Sequence, residues 1–157
     1  MKILSFNEFL NENVDVNRSV KVGDTVYHTS YEENLQLRDD YPMWFSLDSK
    51  TADDWHEINK DLKQTYTYEL KITSGNFLSR DEAYDLCRKL KISFNNIEED
   101  LVNNPKDVLK IKNISRMKKH CDGFLHIDYD PSDPQKDTRS LFIFQPKKCL
   151  EILKRHK

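Results

Sequence analysis

The chain predicts an α+β domain, and three observations lead there. Strand-like patterns lie near the two ends of the folded body, while helical patterns fill its middle. The run Tyr66 to Ile72, YTYELKI, alternates its side chains with the period of a half-buried strand. Only three glycines occur in 157 residues and none forms a glycine-rich loop behind a strand, which excludes the dinucleotide-binding and P-loop fingerprints.

Residues 1–12, MKILSFNEFLNE, stand apart from that body. Ser5 and Glu8 have the spacing of a capping box, and Ile3, Phe6, Phe9 and Leu10 fall on one side of a short amphipathic helix. A helix this short needs a partner surface, because nucleation is costly. Residues 13–19 are polar and aperiodic, the pattern of a linker, and residues 20–157 then form one domain.

Within the body, Gly23-Asp24 turns into a strand, Thr25 to His28. A polar loop follows, then a second short strand at Met43 to Ser46. Thr51 and Asp54 are expected to start a helix with Trp55, Ile58 and Leu62 as its apolar stripe. Ser79 with Glu82 caps the next helix, which carries Ala83, Leu86, Cys87 and Leu90 on one face. Phe94 to Val102 is a further helix, and Pro105 suits the first position of another running toward Met117. Cys121 to Ile127 turns back into a strand, Asp128 to Thr138 reads as an acidic loop, and Leu141 to Phe144 reads as the last strand before Pro146.

Composition narrows the function classes. Charged residues make up 33% of the chain, yet 11% aromatics and regular apolar spacing argue for a packed core rather than disorder. No apolar run approaches a membrane span, and the N-terminus lacks the form of a secretory signal. Three cysteines without CxxC spacing suggest neither a disulfide framework nor a zinc site. His120, Cys121 and His126 lack the second ligand pair that a tetrahedral metal site needs, so no metal is expected. Residues 1–60 hold 12 acids and 6 bases, and residues 61–157 hold 15 and 19, so the second half is mildly basic. That surplus is either a solvated face or a surface for phosphate groups.

The N-terminal segment, Met1-Lys2 followed by an aromatic and acidic helix closing in Leu10-Asn11-Glu12, resembles the capsid-targeting peptide of internal head proteins in T-even-type phages. That resemblance implies partners in the phage scaffold and prohead protease, cleavage after Glu12, residence in the virion interior and later release into the host cytoplasm. In the body, YHTS, then WFS with D-x-x-x-A-x-x-W, YTYELKI, CDGFLHID and SLFIFQP occur in an order that resembles the ADP-ribosyltransferase fold between Val26 and Leu150. The resemblance implies a split β-sandwich with helices inserted between its N- and C-terminal strands, NAD held in the cleft, and transfer of ADP-ribose to a host protein or nucleic acid.

It further implies that His28 contacts the nicotinamide ribose, with Thr29 and Ser30 beside it. Trp44, Phe45 and Ser46 would frame the nicotinamide. The carboxylate that the family carries just before the final strand is replaced by Ser140, and Asp137 is the nearest acid able to supply its charge. A domain that kept the fold without turnover would instead bind or inhibit a host factor.

Overall fold

The computed structural model describes residues 20–59, 61, 64–103, 108–130 and 133–156. Side chains are described throughout these ranges except at 54, 55, 58, 59, 98, 102, 103, 108, 127–130 and 133–139. The amphipathic segment, the linker, Leu62, Pro105 and the side chains of Trp55, Ile58 and Asp137 therefore lie outside the described residues.

The α+β expectation holds. Among the described residues, strands and helices follow in the order β1 (Thr25–Ser30), β2 (Met43–Ser46), α1 (Ser49–Asn59), β3 (Tyr66–Ile72), β4 (Phe77–Leu78), α2 (Arg80–Lys89) and α3 (Phe94–Asn103). A 3-10 turn at Val108–Lys110 leads to α4 (Lys112–Lys118), β5 (Gly123–Asp130), β6 (Asp133–Ile143), α5 (Pro146–Cys149) and β7 (Leu150–Arg155). The strands form one curled sheet in the order β4-β5-β6-β2-β1-β3-β7; β4 and β5 run parallel and the other described pairs are antiparallel.

Two cores lie on its two faces. Val26, Phe45, Leu70, Ile72, Leu125, Leu141 and Ile143 come from five different strands and pack in one cluster, so the sheet wraps around them. Residues one step along the same strands, Phe124 and Phe142, point the other way, into a cluster with Ala83, Ile97, Ile114 and Met117 of the helices. This division shows along β3: Tyr68, Leu70 and Ile72 are buried on one face and Lys71 is exposed on the other, although Thr67 near the strand's start is buried as well.

Gly123 is fixed by a close approach rather than by a turn. A Cβ there would stand 2.0 Å from the Phe142 carbonyl oxygen, so only glycine lets β5 and β6 pair at this point. The helix starts also obey local chemistry. Ser79 Oγ accepts from the Glu82 amide at 3.2 Å, as its capping pattern predicts. For α1 the expectation needs correcting: the helix begins at Ser49, and Asp48 caps it by accepting from the Thr51 amide at 2.8 Å.

Two further expectations are corrected. Leu141 to Phe144 is not the last strand, because Leu150–Arg155 adds β7 alongside β3. Its charges concealed it, yet charged side chains are what protect the exposed edge of a sheet. The segment read as an acidic loop, Asp128 to Thr138, is mostly the far end of the β5–β6 hairpin, paired from Gly123↔Ile143 to Asp130↔Asp133.

The two separate sheets implied by the resemblance are joined into one, but the joint is thin. Between β1 and β2 there is a single register pair, Tyr27↔Ser46, whereas β2 pairs with β6 over four residues and β1 with β3 over six. Past that pair, toward Ser30 and Met43, β1 and β2 diverge. A cavity opens there.

Candidate functional site

A cavity of about 450 Å³ occupies the gap where β1 leaves β2. Its walls come from the end of β1 (His28, Thr29, Ser30), the start of β2 (Met43, Trp44), the intervening loop, and Leu101 and Phe142 from the helical side. The gap thus reaches the contents of both cores. That is a direct consequence of two strands separating after one bridge.

His28 is the half-buried residue at this parting. Its Nδ1 lies 2.7 Å from the Trp44 carbonyl oxygen. A carbonyl only accepts, so Nδ1 carries the proton and donates, which leaves Nε2 as the acceptor in the neutral ring. The imidazole ties β1 to β2 beyond their last backbone pair, and its ring packs on Phe45 at a centroid distance of 5.4 Å. Burial pushes the His28 pKa below its ordinary value of 6.5, while the Trp44 bond and the Glu32 charge pull the other way. Burial is the largest cause, so the ring is neutral at pH 7.

Thr29 and Ser30 reach the cavity wall, but their hydroxyls already have local tasks. Thr29 Oγ1 donates to the Ala52 carbonyl at 2.9 Å and fastens α1 to the sheet. Ser30 Oγ accepts from the Glu32 amide at 3.1 Å and turns the chain out of β1. Trp44 lines the cavity and stacks against Phe142 and His126, at centroid distances of 4.9 and 5.6 Å. Phe45 is 1% exposed and belongs to the core beneath His28.

Ser46 lies apart from these. Strand alternation turns it away from the Phe45–His28 face, and it is buried opposite Ser140 on β6 and Tyr27 on β1. Ser140 also pairs with His126, so the position where a carboxylate was sought sits mid-sheet in a row His126–Ser140–Ser46–Tyr27. Asp137 is on the same strand, paired with Tyr129, three residues and about 10 Å further along. The described residues therefore bring together His28, Thr29, Ser30 and Trp44 around one cavity, with Phe45 below His28 and with Ser46 and Ser140 further along the sheet face that carries Trp44 and Phe142.

The loop between β1 and β2 supplies what reasoning from the sequence did not nominate. Tyr31, Glu32, Arg38 and Tyr41 all line the cavity, and both tyrosines are exposed. Arg38 is forked onto Asp40 through Nε and Nη2 at 2.8 and 2.7 Å, which holds the Asp40 carboxyl below its usual range and cancels the two charges locally.

The loop is held in place by Tyr68, whose hydroxyl lies 2.6 and 2.5 Å from the Glu32 and Glu33 carbonyls and 3.3 Å from the Leu35 amide. Arg155 of β7 donates to the Glu33 carbonyl at 2.9 Å, and Asp39 accepts from the Lys148 amide at 3.0 Å. A signal for the loop residues did exist: Tyr31 and Glu32 follow immediately on the strand end His28-Thr29-Ser30, and Tyr41-Pro42 immediately precedes β2. Tyr68 carried none, since a tyrosine in an alternating strand reads as core.

Among the described residues no cluster of three or more metal-ligating side chains occurs, and no helix is long and apolar enough to cross a membrane. The three cysteines are buried, and burial pushes Cys121 up to about 12 and Cys149 up to about 11. Such thiols are poor nucleophiles at neutral pH. No protein-family model, curated protein or solved structure matches this chain.

Proposed function

We propose that the cavity between β1 and β2 is an NAD site and that the domain is an ADP-ribosyltransferase-like protein that transfers ADP-ribose to a host macromolecule. The observation that supports this most is His28. Its Nδ1–H is committed to Trp44, so Nε2 is a fixed, neutral acceptor on the wall of a cavity that also presents aromatic rings. A ribose hydroxyl is a donor that such a nitrogen can hold without a permanent charge being buried.

Transfer breaks the bond between ribose C1′ and the nicotinamide nitrogen. Nicotinamide leaves as a neutral molecule, a nucleophile of the acceptor bonds C1′, and the acceptor's proton passes to solvent. Positive charge develops on the ribose as the bond breaks, and a carboxylate near it lowers the barrier. The N-terminal segment, by its resemblance to head-targeting peptides, is read as the route of packaging into a phage head and delivery with the DNA.

One observation favours a second reading, in which the domain binds a nucleotide or a host factor without turnover. Ser140 stands where the resemblance calls for a carboxylate, and the backbone position of Asp137 is about 10 Å along the strand. Loss of one well-placed electrostatic group costs about 10²–10³ in rate.

Incubating the full chain with NAD labelled in its adenylate portion and a bacterial lysate separates the readings. Label on a macromolecule, or release of nicotinamide, supports transfer. NAD binding with neither product leaves nucleotide binding without turnover, and no NAD binding rejects transfer and leaves only the binding of a host factor.

A further inference from the structure

The cavity carries an unbalanced negative charge. Of its charged walls, Arg38 is committed mainly to Asp40 through the fork, with Glu32 a lesser charge acting on it, and burial keeps His28 uncharged at pH 7. Glu32 remains. Among the described residues its hydrogen bonds are made by the main chain, the amide to Ser30 Oγ at 3.1 Å and the carbonyl to Tyr68 at 2.6 Å, and its carboxylate enters no ion pair. The amide and carbonyl of the residue are thus both held.

Aromatic residues line the same cavity as Glu32. Tyr31 precedes it, Tyr41 stands on the same cavity wall, and both present part-exposed rings, while Trp44 lines the space beside His28. Ring faces carry negative potential and attract cations, worth about 0.5–2 kcal/mol each according to desolvation. A carboxylate in the same space adds its Coulomb attraction, stronger at a half-closed site than in bulk water.

We propose that Glu32, which lines this cavity together with Tyr31, Tyr41 and Trp44, makes it selective for an organic aromatic cation over the neutral ring of the same shape. Pyridinium compounds are the class that fits: flat enough to lie on a tyrosine or tryptophan face, and charged where Glu32 can be felt. The inference stands on the cavity's walls and does not require that ADP-ribose be transferred. If NAD is the ligand, it implies that the oxidised, positively charged form binds better than the reduced form.

Two probes of nearly equal size isolate the charge: 1-methylnicotinamide, a permanent cation, and nicotinamide, which is neutral at pH 7. Ligand-observed NMR titrations of the full chain are expected to give at least about fivefold tighter binding of the cation, equivalent to roughly 1 kcal/mol. Glu32→Gln, at an exposed position where folding is not at stake, should bring the two affinities within about twofold. Asp40→Asn, which frees Arg38, should weaken the cation and spare the neutral ring.

Equal binding of the two probes by the wild type overturns the proposal, as does a preference that survives in Glu32→Gln. A parallel titration with NAD itself keeps the readings apart. If NAD binds while neither probe does, the cavity is not selective for cationic rings although the NAD reading stands. If the cation binds selectively and NAD does not bind, the inference stands and the NAD reading falls. Failure of all three ligands removes both.

Discussion

Replacing Tyr68 with phenylalanine removes one oxygen and leaves the ring that packs in the core, so its effect isolates how the loop from Tyr31 to Pro42 is held. The hydroxyl has one proton to share between the Glu32 and Glu33 carbonyls and a lone pair for the Leu35 amide, which amounts to two hydrogen bonds at any moment. Each contributes about 0.5–1.5 kcal/mol net. Water replaces the bonds to Glu32 and Glu33, which are exposed, but Leu35 is 7% exposed and its amide loses a partner in the core.

The expected loss is therefore about 1–2 kcal/mol, or about 2–8 °C in melting temperature for a chain of this size. Urea denaturation measures the stability, and hydrogen exchange measures the loop. Exchange at the amides of residues 32–36 should quicken more than exchange in β3, and NAD affinity should fall with it. An unchanged midpoint with unchanged exchange at 32–36 would mean that the hydroxyl does not hold the loop, and the assignment of Glu32 as a fixed wall would fail with it.

Other consequences can be checked in the same way. Gly123→Ala sets a methyl group 2.0 Å from the Phe142 carbonyl, so β5 and β6 must part; a loss of about 3 kcal/mol or more is expected in denaturant titration, and a wild-type midpoint would contradict the pairing. Leu141→Ala, at a fully buried site in the core that the sheet encloses, should cost about 2–5 kcal/mol with a cooperative transition retained. His28 has a folded-state pKa below its ordinary value of 6.5, so below that pH the unfolded chain takes up its proton more readily than the folded one. Its contribution to stability is then complete above about pH 6.5 and is lost as pH falls through the lowered value, and His28→Asn should flatten that limb of the stability–pH curve.

Much of the fold could be read from spacing alone. Alternation in YTYELKI, the Ser79 cap and the apolar face of α2 are local signals, and local signals survive into the structure. What could not be read depends on pairing partners far apart in the chain. The residues of β7 resemble a solvated basic tail until β3 offers them a ladder, and Asp48 caps α1 only because of how the turn after β2 is shaped. The site divides the same way. His28 and Trp44 announce themselves at strand ends, but that Ser46 faces away from His28 follows from register, which one residue of slip would reverse. Glu32 matters because Tyr68, 36 residues later, grips its carbonyl.

The central claim is that His28 Nε2 receives a hydroxyl of NAD in the β1–β2 cavity, and one pair of titrations addresses it most directly. His28→Asn places an amide N–H where Nδ1 stood, so the bond to the Trp44 carbonyl is kept while the Nε2 acceptor is removed. Isothermal titration with NAD at pH 7.5 should show saturable one-to-one binding to the wild type. The His28→Asn protein should bind NAD about 5- to 30-fold more weakly, the cost of one lost hydrogen bond and an unpaired ribose hydroxyl, with the melting temperature lowered only by the lost ring contact with Phe45. Equal affinity of the two proteins, or no binding of NAD to the wild type, would contradict the claim.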